Sequence, residues 1–417
     1  MDRRDFISKL GVAGGAGLIA GTATANHHES DKNSESLSST MNADMDSRLA
    51  SDSRTAFDEL ISTLQAADEQ FLGPKGRVTT TADVADGHRA LMHTLQWALV
   101  SEMDVSRDHP IFHRIVTPTR KGLGDNPDAV YFSASIRGER NYTIKSNMAG
   151  AVYTSITIEG GAGDGSYATG VVAAINNTEF DVDKDGNFEL HLGPNVSGRN
   201  SLKVPDTAAQ ITTRHYFEEK VRVAADLGRH IPMTIENSDE LPPPDTPDDA
   251  SIASGIRRVT AQVAGRTLGH LARERVPVSW VSTVPNQFNA PEKPGDMAFS
   301  AVDNAYSMAP YYLQSDEALV MTGRFPKCVF ANVALWNRFL QSYDYANRPV
   351  SLNRAQTETD KDGNFRMIIA HKDPGVANWL DTEGRLSGSV YWRFLLPEGG
   401  IVTPQAEVVK FADIANS

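Results

Sequence analysis

Two polar clusters carry the residue types from which a binding or catalytic site can be built. The first, Asp125-Asn126-Pro127-Asp128, precedes a run of alternating apolar residues that contains Tyr131. Its side chains can hydrogen-bond a polar ligand, and they can equally close Asx turns that need none. The second runs from His371 to Asp381 and gathers His371, Asp373, Asn378, Trp379 and Asp381 in a connection between two strands. An aromatic platform beside convergent polar groups suits a polar small molecule or a glycan. A loop anchored by a buried Trp379 would have the same composition. Arg393 follows Tyr391 by two residues on one strand face and is placed to pair with a carboxylate. Binding at these residues is the leading reading. The alternative is a hydrolase or lyase in which His371 and the acids Asp373 and Asp381 exchange protons.

Other chemistry finds little support. The 417 residues include one cysteine, Cys328, which excludes internal disulfides, cysteine-ligated zinc and iron–sulfur clusters. Cys328 lies in an apolar run and reads as a small buried hydrophobe. There is no G-x-S-x-G elbow, Walker loop or haem attachment motif. The glycine-rich stretch Gly160–Gly165 falls between strand patterns and opens no helix, so it reads as a flexible connection rather than a dinucleotide fingerprint. His109 and His113 have the spacing of two helical metal ligands, but Pro110 intervenes and no metal site is expected. Asp181, Asp183 and Asp185 with Gly186 resemble the start of a calcium loop; Leu192 stands where the bidentate glutamate is required, and a tight Asp-Gly turn is the favoured reading. No cofactor is expected beyond that minor calcium possibility. The net charge of −13, from 40 basic and 53 acidic residues, argues against nucleic acid as a partner.

The elements that must position these groups follow from periodicity. Residues 1–25 combine Arg3-Arg4, a Gly/Ala-rich apolar stretch and the small residues Ala23-Thr24-Ala25. They resemble a twin-arginine export signal, which would make the export machinery a partner and the periplasm or exterior the destination. Residues 26–52 are a polar tether. A helical segment follows over 53–120: Phe57, Leu60, Ile61, Leu64 and Phe71 recur at helical spacing, and Thr81 is placed to cap a second helix carrying Val84, Leu91, Leu95 and Leu99. From 121 to 235 the period is two, with Val130, Phe132, Ala134 and Ile136 as its clearest run. Residues 236–300 hold a Pro-rich acidic linker and one amphipathic helix from Ile252 to Leu271, and 301–417 are again β-rich. No further apolar run is long enough to span a membrane.

The two β stretches repeat each other. Asp183–Phe188 recurs as Asp360–Phe365, Asn200 as Asn378, Arg214 as Arg393, and Asp125-Asn126 as Asp303-Asn304, at offsets of 177 to 179 residues. Ordered anchors with so little drift predict two copies of one β unit. The fold class is therefore mainly β: two related antiparallel, jelly-roll-like β-sandwich domains, with a helical N-terminal segment and an inter-domain helix.

The runs TDKDGNFRMIIA, DPGVANWLDTEG and SGSVYWRFLLPEG, with GDNPDAVYFSASIRGERNYTIKS in the first repeat, resemble a bacterial family described only as domain of unknown function 1214. Its members often follow a partner domain numbered 1254. The resemblance implies β-sandwich, jelly-roll-like folds and supplies no reaction and no catalytic residue.

Overall fold

Hydrophobic periodicity and caps set the helices. The computed structural model describes residues 50–273 and 278–416, so the export signal and nearly all of the tether lie outside the described residues. Helix α1 (Asp52–Gln70) starts where the Ser51 hydroxyl accepts the Arg54 N–H, and α2 (Thr81–Ala98) where the Thr80 hydroxyl accepts the Asp83 N–H. The cap is thus Thr80, one residue before the expected Thr81. Helix α2 runs on into a π-helical turn over Leu99–Met103. Helix α3 (Asp249–Arg266) opens with a capping box between Asp248 and Ser251. The single helix expected to Leu271 is broken at Thr267, whose φ/ψ of −115°/−82° leave the helical region, and resumes as α4 (Leu268–Ala272). Leu60, Ala67, Leu91, Ala98, Val259 and Val263 make the core shared by α1, α2 and α3.

Period-two patterning sets the sheets. A short β1 (His113–Arg114) pairs with β2 (Ala129–Ser135). The first half continues with β3 (Tyr142–Asn147), β4 (Tyr153–Gly160), β5 (Gly170–Asn176), β6 (Asn187–Gly193), β7 (Ser201–Lys203), β8 (Ala208–Tyr216) and β9 (Met233–Asn237). The second half contains β10 (Asn304–Tyr312), β11 (Glu317–Arg324), β12 (Phe330–Trp336), β13 (Ser351–Asn353), β14 (Asn364–Ala370), β15 (Trp379–Asp381), β16 (Ser387–Leu395) and β17 (Gln405–Lys410). The sheet orders are β1-β2-β8-β4-β5 and β7-β6-β3-β9 in the first half, and β10-β16-β12-β13 and β15-β14-β11-β17 in the second. Apart from β1, the halves share one strand order.

Each half is a sandwich. Ile156, Ile158 and Ile211 from one sheet meet Ile144, Phe188 and Leu190 from the other; Val333, Val390 and Trp392 meet Leu319, Met367 and Ile369 in the second copy. Two features depart from expectation. The pairs β6–β7 and β14–β15 are parallel, so the sheets are not wholly antiparallel. In a jelly roll the first strand neighbours the last; here it neighbours the seventh of eight.

Register corrects one repeat anchor. Arg214 sits opposite Tyr131 and Ser155, and Arg393 opposite Tyr306 and Asn332. Hence Tyr131 corresponds to Tyr306, and Asp128, not Asp125, corresponds to Asp303. The Asp-Asn dipeptide at both positions makes the sequences look alike three residues out of step.

Candidate functional site

The sequence-predicted residues fall into two separate places. Asp125, Asn126, Asp128, Tyr131 and Arg393 are all buried between the halves, where the sheet containing β2 faces the sheet containing β16. Asp125 accepts the Ser342 N–H at 2.9 Å and the Ser342 hydroxyl. Asn126 Oδ1 accepts from the Asn332 amide at 2.6 Å and from the Asp128 N–H at 3.1 Å. Asp128 accepts the amides of Asn332 at 2.8 Å and Asn353 at 3.0 Å. Burial raises its carboxyl to about 6, against the lowering effect of those two amides. Arg393 donates to the Gly124 carbonyl at 2.6 Å and lies over the rings of Tyr391 and Trp336, at 4.6 and 5.0 Å. Burial lifts the Tyr131 hydroxyl well above the usual tyrosine range.

These contacts are reciprocal. Asn176 lies opposite Ser155 and Asn353 opposite Asn332, so the two asparagines are equivalent. Asp128 of the first half accepts from Asn353 of the second, and Asp303 of the second accepts from Asn176 of the first, each at 3.0 Å. Tyr153 also donates to Asp303, at 2.5 Å. An arrangement that both copies keep serves what both copies need, which is this shared face.

The residues from His371 to Asp381 lie at the β14–β15 edge. His371 Nε2 is 3.1 Å from the Gln314 carbonyl and Nδ1 is 2.6 Å from the Thr382 hydroxyl. With the proton on Nε2, the neutral ring satisfies both contacts. Asp373 accepts the Gly375 N–H at 2.8 Å. Asp381 is buried, pairs with Arg348 at 2.7 Å and accepts the Glu383 N–H at 2.7 Å. Trp379 donates its indole N–H to the Ala370 carbonyl at 3.2 Å. Asn378, at φ +60°, accepts the Glu358 N–H at 2.8 Å; Asn200 does the same for Asp181 at 2.9 Å in the first copy. Asp183 and Asp360 likewise match: each accepts the N–H two and four residues on, closing the Asp-Gly turn at Gly186 or Gly363.

Beside Asn378 opens a groove of about 590 Å³. Thr322 and Gly323 of β11, Glu358, Thr359 and Asp360 before the turn, Asn364, Phe365 and Arg366 of β14, and Val376 and Ala377 complete its walls. The Phe365 ring turns away into the core of the second half, stacked on Trp392, and a Cβ on Gly323 would come within 2.8 Å of it. Thr322, Gly323, Glu358 and Arg366 were not among the expected site residues. Gly323 inside a strand reflects the close approach of the buried Phe365 ring, and no sequence pattern pointed to the groove. Among the described residues no group of three or more His, Cys, Asp or Glu side chains is placed to hold a metal.

Residues 333–399 match the family model described as "Protein of unknown function (DUF1214)". The match covers β12 through β16 and the groove's β14 wall. A crystal structure of an uncharacterized protein from Burkholderia cenocepacia resembles this chain with a TM-score of 0.73 at 23% identity, covering 86% of this chain and 98% of that one. The likeness shows a shared fold. A structure from Vibrio parahaemolyticus is more distant, with 11% identity, a TM-score of 0.45 and coverage of 77% and 97%. No curated protein matches the chain.

Proposed function

We propose that this protein binds a polar small molecule, of sugar or sugar-like chemistry, in the groove beside the β14–β15 edge. The observation that carries the reading is the groove itself: an open concavity bordered by the carboxylates of Glu358 and Asp360, the guanidinium of Arg366 and the hydroxyls of Thr322 and Thr359. Such a rim offers donors and acceptors in several directions, as a polyhydroxyl ligand requires. Within the two clusters read from the sequence, Asn378 borders the groove, and Asp373, Trp379 and Asp381 hold the loop that forms its wall. The buried set around Asp128 and Arg393 contributes by fixing the second half against the first. A hydrolase or lyase at His371 would need the imidazole to leave both Thr382 and Gln314 before it could exchange a proton with substrate.

The test is calorimetric titration with a panel of neutral and acidic mono- and disaccharides. Glu358→Gln and Thr322→Val should each weaken the best ligand about tenfold, about 1.4 kcal/mol, without shifting the melting temperature. Equal affinity in both variants would remove the groove from the account. We further propose export by the twin-arginine route to the periplasm, on the strength of Arg3-Arg4 and the small-residue motif at Ala23–Ala25. Changing both arginines to lysine should leave the full-length chain in the cytoplasmic fraction; unchanged export would overturn that reading.

A further inference from the structure

The two halves repeat one framework, so the groove of the second half has a counterpart position in the first. Shared contacts fix the correspondence. Asn378 accepts the Glu358 N–H as Asn200 accepts that of Asp181. Ala377, one residue before Asn378, therefore stands where the first half has Arg199. Phe365 of β14 matches Phe188 of β6, so Thr322 opposite Arg366 stands where Lys145 lies opposite Glu189.

In the first half these positions neutralise one another. Arg199 Nε donates to Asp181 Oδ1 at 2.5 Å, and Lys145 Nζ lies 3.5 Å from Glu189 Oε2. The arginine thus reaches from the loop before β7 to the segment before the Asp-Gly turn. Those are the two walls between which the groove opens in the second half, at Ala377 and Glu358.

In the second half the pairing is gone. Ala377 carries no charge and is too short to cross the gap. Glu358 is exposed and forms no ion pair among the described residues. Arg366 donates to the Ile414 carbonyl at 3.3 Å. Asp360 is engaged by its own turn, accepting the N–H groups of Asp362 and Asn364, with Arg324 as the nearby cation. One carboxylate beside a concavity of about 590 Å³ therefore lacks the cation that its counterpart holds.

We propose that the groove selects a ligand bearing a protonated amine, an amino sugar, whose ammonium sits on Glu358 as the Arg199 guanidinium sits on Asp181. This inference rests on the groove being a sugar site and adds the charge of its ligand. An ammonium donates charge-assisted hydrogen bonds to a carboxylate, as a guanidinium does. Because Glu358 is exposed, the preference is modest and salt-dependent.

Glucosamine, glucose and N-acetylglucosamine are the probes, titrated calorimetrically into the whole protein at about pH 6, where the free amine is protonated. Glucosamine should bind about fivefold more tightly than the other two, and added salt should shrink the difference. Glu358→Gln should bring glucosamine and glucose level. Ala377→Arg, which rebuilds the first half's pair, should abolish glucosamine binding with the melting temperature unchanged. Equal affinity of the native protein for glucosamine and glucose would overturn this inference and leave the sugar groove standing. A glucosamine preference that survives Glu358→Gln would do the same. Binding of none of the three sugars would overturn both readings.

Discussion

At the scale of single residues, the most constrained group is Asp128. It is fully enclosed, and its two oxygens are the acceptors for the side-chain amides of Asn332 and Asn353. Asp128→Ala would leave both donors buried without that acceptor, costing about 2–4 kcal/mol, measurable by denaturant unfolding. Adding Asn353→Ala should cost less than the sum of the single changes, with a coupling of about 1–2 kcal/mol. The carboxyl also sets a pH dependence. Its folded value of about 6 exceeds the ordinary 3.8, so folding takes up a proton between those values. Its contribution is therefore greatest below about pH 4, declines as pH rises to about 6, and is level above. The Asp128→Ala protein should lack that slope. From the sequence, Asp125, Asn126 and Asp128 read as a ligand-binding cluster, with a turn closed by Asx hydrogen bonds as the alternative. Nothing in a linear pattern says that a second copy of the same module will cover that turn, and burial by a distant segment reverses the meaning of a polar residue.

At the scale of elements, local patterns carried most of the fold. Leu60, Leu64 and Leu91 announced α1 and α2 through their spacing, and the alternation from Val130 to Ile136 announced β2. Features decided by tertiary context were not legible. Strands β7 and β15 are three residues each, too short for periodicity to register, and they pair in parallel only because loops from Asn200 and Asn378 bring them back. The π-helical turn at Leu99–Met103 has the composition of ordinary helix, yet it is what turns Glu102 toward β4. The groove draws on several segments between Thr322 and Asn378, and only the fold assembles them. The glycine-rich loop was visible as a motif, but its purpose depends on Arg107 and α3, which approach it from far along the chain.

At the scale of the whole molecule, the halves meet through matching surfaces in which each aspartate reaches the other half's asparagine. Such self-complementarity is the property of a two-fold dimer interface, here contained in one chain. Each half carries both members of the pair, Asp128 with Asn176 and Asp303 with Asn353, so each is chemically able to meet a copy of itself. Refolding at rising protein concentration should therefore divert chains into a dimer by exchange of halves, detected by light scattering coupled to size exclusion. A dimer fraction independent of concentration would count against exchange.

That self-matching face has a consequence for synthesis. The first half is complete on the ribosome while most of the second is still untranslated, and its tyrosine-rich face has no intramolecular cover during that interval. Neighbouring nascent chains on one message present the same adhesive surface to each other. Productive folding is thus a race between elongation and encounter, won more often when initiation is sparse.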